Sequence, residues 1–234
     1  MRKQACVVTW GALVLIFSAG KPAAAQDVDF TALIHETQRL PQKPGEVTMV
    51  WWIPEEFWSA SFRQSKNVTP VQAEELLKAV RPYTIFAVFN GTVGAFGGIT
   101  FKSEDQIRAS LRLVDAQGTS YPPRTNDELS ADIKNMLMMM KPILANMLGS
   151  LGQNMHFFVF PGATQAGARI ANAKEKGRFK VKLEEREFAW RLPIDALLPS
   201  KVCTGCNEQC KGSLELLPLV RHEACPEVAG LFRP

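Results

Sequence analysis

The chain has 234 residues, 46% of them hydrophobic, and a formal net charge of +4, enough material for one sizeable domain with its own core. Arg2, Lys3 and Lys21 lie within the first 25 positions and no acid does, so the remainder carries a formal charge of only +1. A balance that close to neutral excludes the electrostatic footprint of a nucleic-acid-binding protein.

Arg2-Lys3, the apolar stretch containing Leu13, Val14, Leu15, Ile16 and Phe17, and the small run Ala23-Ala24-Ala25 form the pattern of a bacterial export signal cut before Gln26. The apolar run is too short to span a bilayer. The expectation is a periplasmic or secreted protein with no membrane span once residues 1–25 are removed. Residues 26–199 then form the main domain, and 200–234 a tail that holds Cys203, Cys206, Cys210 and Cys225.

Phe30, Leu33, Ile34 and Leu40 have roughly helical spacing before Pro41 and Pro44-Gly45. The stretch from Val47 to Trp58 contains Trp51, Trp52 and Trp58, three of the five tryptophans. Its first half alternates as a strand, Pro54 stops it, and Glu55-Glu56 sits at the corner that follows. Thr69-Pro70-Val71-Gln72 is a capped helix start, and Pro82 ends that helix. Positions 82–101 carry no charge, and Asn90-Gly91 divides them into an expected hairpin of strands 83–90 and 93–101. Ile107, Ala109, Leu111 and Leu113 alternate with Arg108, Ser110 and Arg112, which predicts a half-exposed strand.

A capping box at Thr125 opens the longest expected helix, whose apolar face runs from Leu129 through Met136, Met140 and Met147 to Leu151, with Pro142 inside it. Residues 155–160 form a further apolar strand. Phe179, Val181, Leu183, Phe188 and Trp190 then alternate with charge on either side of Glu184-Glu185-Arg186, which predicts a hairpin with one apolar and one charged face. The sum is a mainly β, α+β chain: an antiparallel β-sandwich-like domain with one long helix and a small irregular tail.

Cys203-Thr204-Gly205-Cys206, followed by Asn207 to Ser213, resembles the first half of a zinc ribbon. In that family a second C-x-x-C follows, because four thiolates close a tetrahedral site. Here Leu214 to Ala224 stands in its place. Codons that encode this run can be chosen so that, read one base later, they spell W-S-F-C-P-W-C-G-T-K-L. That restores C-x2-C-x10-C-x2-C and suggests a frameshift after Ser213. In the chain as it stands, zinc held by Cys203, Cys206 and Cys210 with His222 or Cys225 competes with disulfides, and the four thiols allow three pairings.

Chemistry in the main domain is sparse. Glu55 and Glu56 beside Trp51, Trp52 and Trp58 suggest a carboxylate pair and a stacking platform for sugar, although solvated acids and core tryptophans account for the same residues. His35 and His156 are too few for a triad or a metal cluster. Met136, Met138, Met139, Met140 and Met147 raise copper(I) binding, against core packing for the face-sharing members and a greasy partner patch for Met138 and Met139. The expected function is an exported, non-catalytic binding or envelope-associated structural protein with a protein or glycan partner. The alternative is an envelope carbohydrate-active protein or hydrolase that uses Glu55 and Glu56 beside exposed tryptophans. Sequencing the gene across the Ser213 codon tests the frameshift: the shifted frame should encode a second cysteine pair, and a frame without one ends the idea.

Overall fold

The computed structural model describes residues 28–41, 43–199, 201–202 and 209–210. The expected export signal and Cys203, Cys206 and Cys225 lie outside the described residues. The chain runs α1 (Phe30–Thr37), β1 (Gln38–Arg39), β2 (Glu46–Ile53), α2 (Glu55–Gln64), α3 (Pro70–Val80), β3 (Tyr83–Val93) and β4 (Ile99–Phe101). It continues with α4 (Glu104–Ser110), β5 (Leu111–Val114), β6 (Ser120–Tyr121), α5 (Ala131–Met147) and β7 (His156–Pro161). The last elements are β8 (Gly177–Leu183), β9 (Arg186–Leu192), β10 (Lys201–Val202) and β11 (Gln209–Cys210).

Two antiparallel sheets form the body. In the first, β1, β2 and β3 are successive neighbours, and the far side of β3 is shared by β7 along its first half and β4 along its end. In the second, the order is β6-β5-β8-β9. Ring contacts across the gap put the sheets face to face. Trp52 meets Phe179 at 4.9 Å and Phe86 meets Trp190 at 5.8 Å, while within the second sheet Phe179 stacks on its cross-strand neighbour Trp190 at 5.0 Å. The opposite face of the first sheet takes helices: Trp51 packs edge-on against Phe57 of α2 at 5.2 Å, and Phe57 against Phe30 of α1 at 5.3 Å. Adjacent residues of a strand point to opposite faces, so Trp51 and Trp52 divide between the two interiors and β2 is covered on both sides. The expected α+β arrangement, with packed antiparallel sheets and helices, is what the chain adopts.

Four local expectations are corrected. The corner at Glu55 is the start of α2. Pro54 holds the N-cap position, and the two acids occupy the first turn, where the positive end of the helix favours them. The turn expected at Asn90-Gly91 is strand, because β3 runs through both residues and folds back only at Gly94 to Gly98. Asn90 is held there by Thr48 and Arg186 at 2.8 and 3.0 Å, and a Cβ on Gly91 would meet Phe101 at 3.0 Å. The alternation around Ile107 is helical in its first part, since Ser103 and Gln106 form a capping box that starts α4. The box at Thr125 caps only a single 3-10 turn, α5 is capped by Ser130, and Met147 is 54% exposed instead of sharing the apolar face.

Thr37, fully buried, joins these layers. Its hydroxyl donates to Leu33 O at 2.7 Å and accepts from Trp51 Nε1 at 3.1 Å, while its carbonyl accepts from Trp190 Nε1 at 3.0 Å. Thr37→Val strands a buried indole N–H and is expected to cost about 1–3 kcal/mol. Thr37→Ser keeps the hydroxyl and should retain most of that stability in urea unfolding. Equal losses in the two variants would show that the hydroxyl contributes nothing.

Candidate functional site

α2 buries Phe57, Trp58, Ala60 and Phe62, which turns Glu55, Glu56, Ser59 and Arg63 to the other side of the helix. That side forms one wall of a cleft of about 290 Å³. Lys174, Val28 and Leu197 line the same cleft and come from distant parts of the chain. Both carboxylates therefore line one space.

Each carboxylate is met by cations from other elements. Glu55 Oε1 accepts from Arg81 Nε at 2.8 Å, and Glu55 Oε2 lies 3.7 Å from Arg169 Nη2. Arg81 also binds Glu74 at 2.6 Å, and these two carboxylates push its guanidinium above the ordinary arginine value. Arg169 donates to the Arg81 carbonyl at 2.5 Å, which ties the loop after β7 to the end of α3. Glu56 Oε1 lies 3.5 Å from Lys174 Nζ. Sequence reasoning found the acids and missed Arg81, Arg169, Lys174, Ser59 and Arg63. Ser59 and Arg63 follow Glu55 at the i, i+4, i+8 spacing of one helix face, a signal that becomes legible once α2 is read as helix; Arg81, Arg169 and Lys174 stand on separate segments, and no spacing links them.

The tryptophans do not join the site. Trp51, Trp52 and Trp58 are 0–1% exposed, so none offers a ring face to a ligand. The expectation of exposed tryptophans beside Glu55 and Glu56 is corrected: a β-strand covered on both faces leaves its indoles nowhere to go but the core. A small recess of about 10 Å³ between the cleft and the core is lined by Trp52, Trp58, Thr84 and Arg169. Trp58 Nε1 finds no acceptor among the described residues.

Cys210 lies in β11, whose backbone pairs with β10 through Lys201↔Cys210 and Val202↔Gln209. Among the described residues, no group of three or more His, Cys, Asp or Glu is placed to hold a metal, and no helix is long and apolar enough to cross a membrane. Met136 and Met140 are buried, and Met138 and Met139 are 74% and 51% exposed. Core packing therefore separates the methionines instead of gathering them on one face. No protein-family model matches the chain, and neither a curated protein nor a solved structure matches it.

His156 is half-buried on β7, with Nδ1 3.5 Å from Glu104 Oε2, too long for a firm hydrogen bond. Burial pushes its pKa below the ordinary histidine value, Lys141 acts in the same direction, and Glu104 opposes both. The folded pKa is thus depressed below the unfolded one. Below about pH 6.5 the unfolded chain binds the extra proton first, and stability falls as the pH drops through the folded value. In urea unfolding between about pH 7.5 and 5.5, His156→Gln should flatten this decline. An unchanged slope would show that His156 has no part in it.

Proposed function

We propose that the chain is an exported, non-catalytic binding module whose cleft beside α2 receives a small ligand or peptide segment bearing both signs of charge. The observation that carries this reading is the make-up of the cleft: Glu55 and Glu56 share it with Arg63 and Lys174, over a floor that includes Val28 and Leu197. A ligand with an amino and a carboxyl group finds a counter-ion for each. The carboxylates are fixed in place by Arg81, Arg169 and Lys174, so they serve as rigid recognition posts. A sugar in the same cleft is the second reading, favoured by the two carboxylates that line it, but without the aromatic platform that sugar stacking uses. The zinc-ribbon remnant remains an appendage to this domain.

Titration of the isotopically labelled protein with a simple dipeptide and, separately, with the dimer of N-acetylglucosamine tests the proposal. The dipeptide should move the backbone amides of Ser59, Arg63 and Lys174 in a saturable way, and Arg63→Glu should abolish the shift. A response to the sugar alone, its hydrolysis, or no response at the cleft to either compound would overturn the proposal.

A further inference from the structure

The hairpin of β3 and β4 leaves the sandwich as a bare arm. Residues 92–100 are all exposed and none of them carries a charge. Phe96 at the tip is 104% exposed, and Val93 and Ile99, paired across the arm, are 38% and 40% exposed. Ala95 and Phe96 hold the two central positions of a turn closed by Gly97 N–H to Gly94 O at 2.9 Å, with Gly97 in the left-handed region at φ 83°. Such positions ordinarily go to polar side chains that hydrogen-bond the local backbone. A phenylalanine there, with the whole ring in water, calls for an apolar partner.

We propose that this arm is a membrane-contacting element, with Phe96 entering the interfacial layer of a bilayer of zwitterionic lipids and Val93 and Ile99 behind it. Between Val93 and Ile99 no side chain carries a charge or a hydrogen-bonding group. A protein partner is oriented by Tyr, Trp or Arg anchors and a polar rim, and the tip provides neither. An apolar phase needs only area. Within the arm, Gly94 N–H donates to Gly98 O at 2.7 Å and Gly97 N–H to Gly94 O at 2.9 Å, so part of the backbone at the tip is paired internally, as entry into lipid favours. At the base, Val93 N–H donates to Gly45 O of the turn before β2 at 2.9 Å.

The shoulder below the arm decides the headgroup. Lys43 and Arg186 share Glu46 at 2.6 and 2.7 Å, and Lys102 pairs with Glu184. Each of these cations is paired within the chain, so the arm's end of the molecule adds little attraction for an anionic surface. Binding should therefore depend little on anionic lipid or on salt. The inference stands on the hairpin alone and does not rest on the cleft's ligand.

The test uses the chain from Gln26 onward, so that the apolar leader does not itself bind lipid, and flotation with phosphatidylcholine vesicles. The protein should float with the vesicles, Phe96→Ser should weaken partition on the order of ten- to a hundredfold, and added anionic lipid should change it little. In vesicles with brominated acyl chains, F96W should show quenching beyond that of the buried native tryptophans. Absence of flotation, flotation indifferent to Phe96→Ser, a strict need for anionic lipid, or no extra quenching in F96W would each overturn the proposal. So would lipid-free, concentration-dependent self-association lost in Phe96→Ser, which would assign the arm to a contact between copies of the chain.

Discussion

Two of the largest buried side chains, Trp51 and Trp190, each bring one N–H donor into an interior where an unpaired donor is costly. Both donors end on Thr37, one at the hydroxyl and the other at the carbonyl. Trp51 faces the helices and Trp190 belongs to the second sheet, so a single residue at the edge of the first sheet ties all three layers together. Its place as the last residue of α1, directly before β1, makes this possible, because there the chain passes from the helical layer into the sheet. Arg39, two residues on, lies over the Trp190 ring at 4.9 Å and donates to Ala189 O at 3.2 Å, closing the same edge.

A second polar clasp holds the opposite end of the sandwich. Arg186 donates to Glu46 at 2.7 Å and Thr48 at 3.0 Å from one nitrogen, and to Asn90 at 3.0 Å from the other. Between these two clasps the contact of the sheets is aromatic. This division of labour shapes the cleft beside α2. With the indoles consumed by the core, α2 turns its polar and charged side to the cleft, and the cations that hold its two carboxylates arrive from the end of α3 and from the connection between β7 and β8. The lining there is mainly charged and polar, while most of the large exposed apolar side chains among the described residues lie elsewhere, on α5 and at the β3–β4 tip.

How much of this was legible depended on how local the cause was. β8 and β9 read plainly because one face of their sheet meets water, so that Phe179, Val181 and Leu183 alternate with lysines without exception. α3 was equally plain, since Thr69 and Gln72 cap it within four residues. Asn90-Gly91 misled for the opposite reason. The side-chain oxygen of Asn90 accepts from Arg186, 96 positions away in the chain, and that contact outweighs the pair's preference for a turn. Around Ile107 a period of two was visible, but the Ser103–Gln106 box imposes helix on its first half. The carboxylates of the cleft were visible as a pair, whereas Arg81, Arg169 and Lys174 carried no mark that they belonged with them.

What the amino-acid order determines by itself here is whatever rests on neighbours within a few positions: the alternation of the second sheet's hairpin, the capped start of α3, the uncharged run that supplies the first sheet's central strand, and the demand that so many indoles be covered. Tertiary structure alone decides which sheet each tryptophan faces, where β3 turns, and which cations reach Glu55 and Glu56. Those outcomes depend on contacts between residues far apart along the chain, whose strength exists only after the layers have closed and water has been excluded from between them.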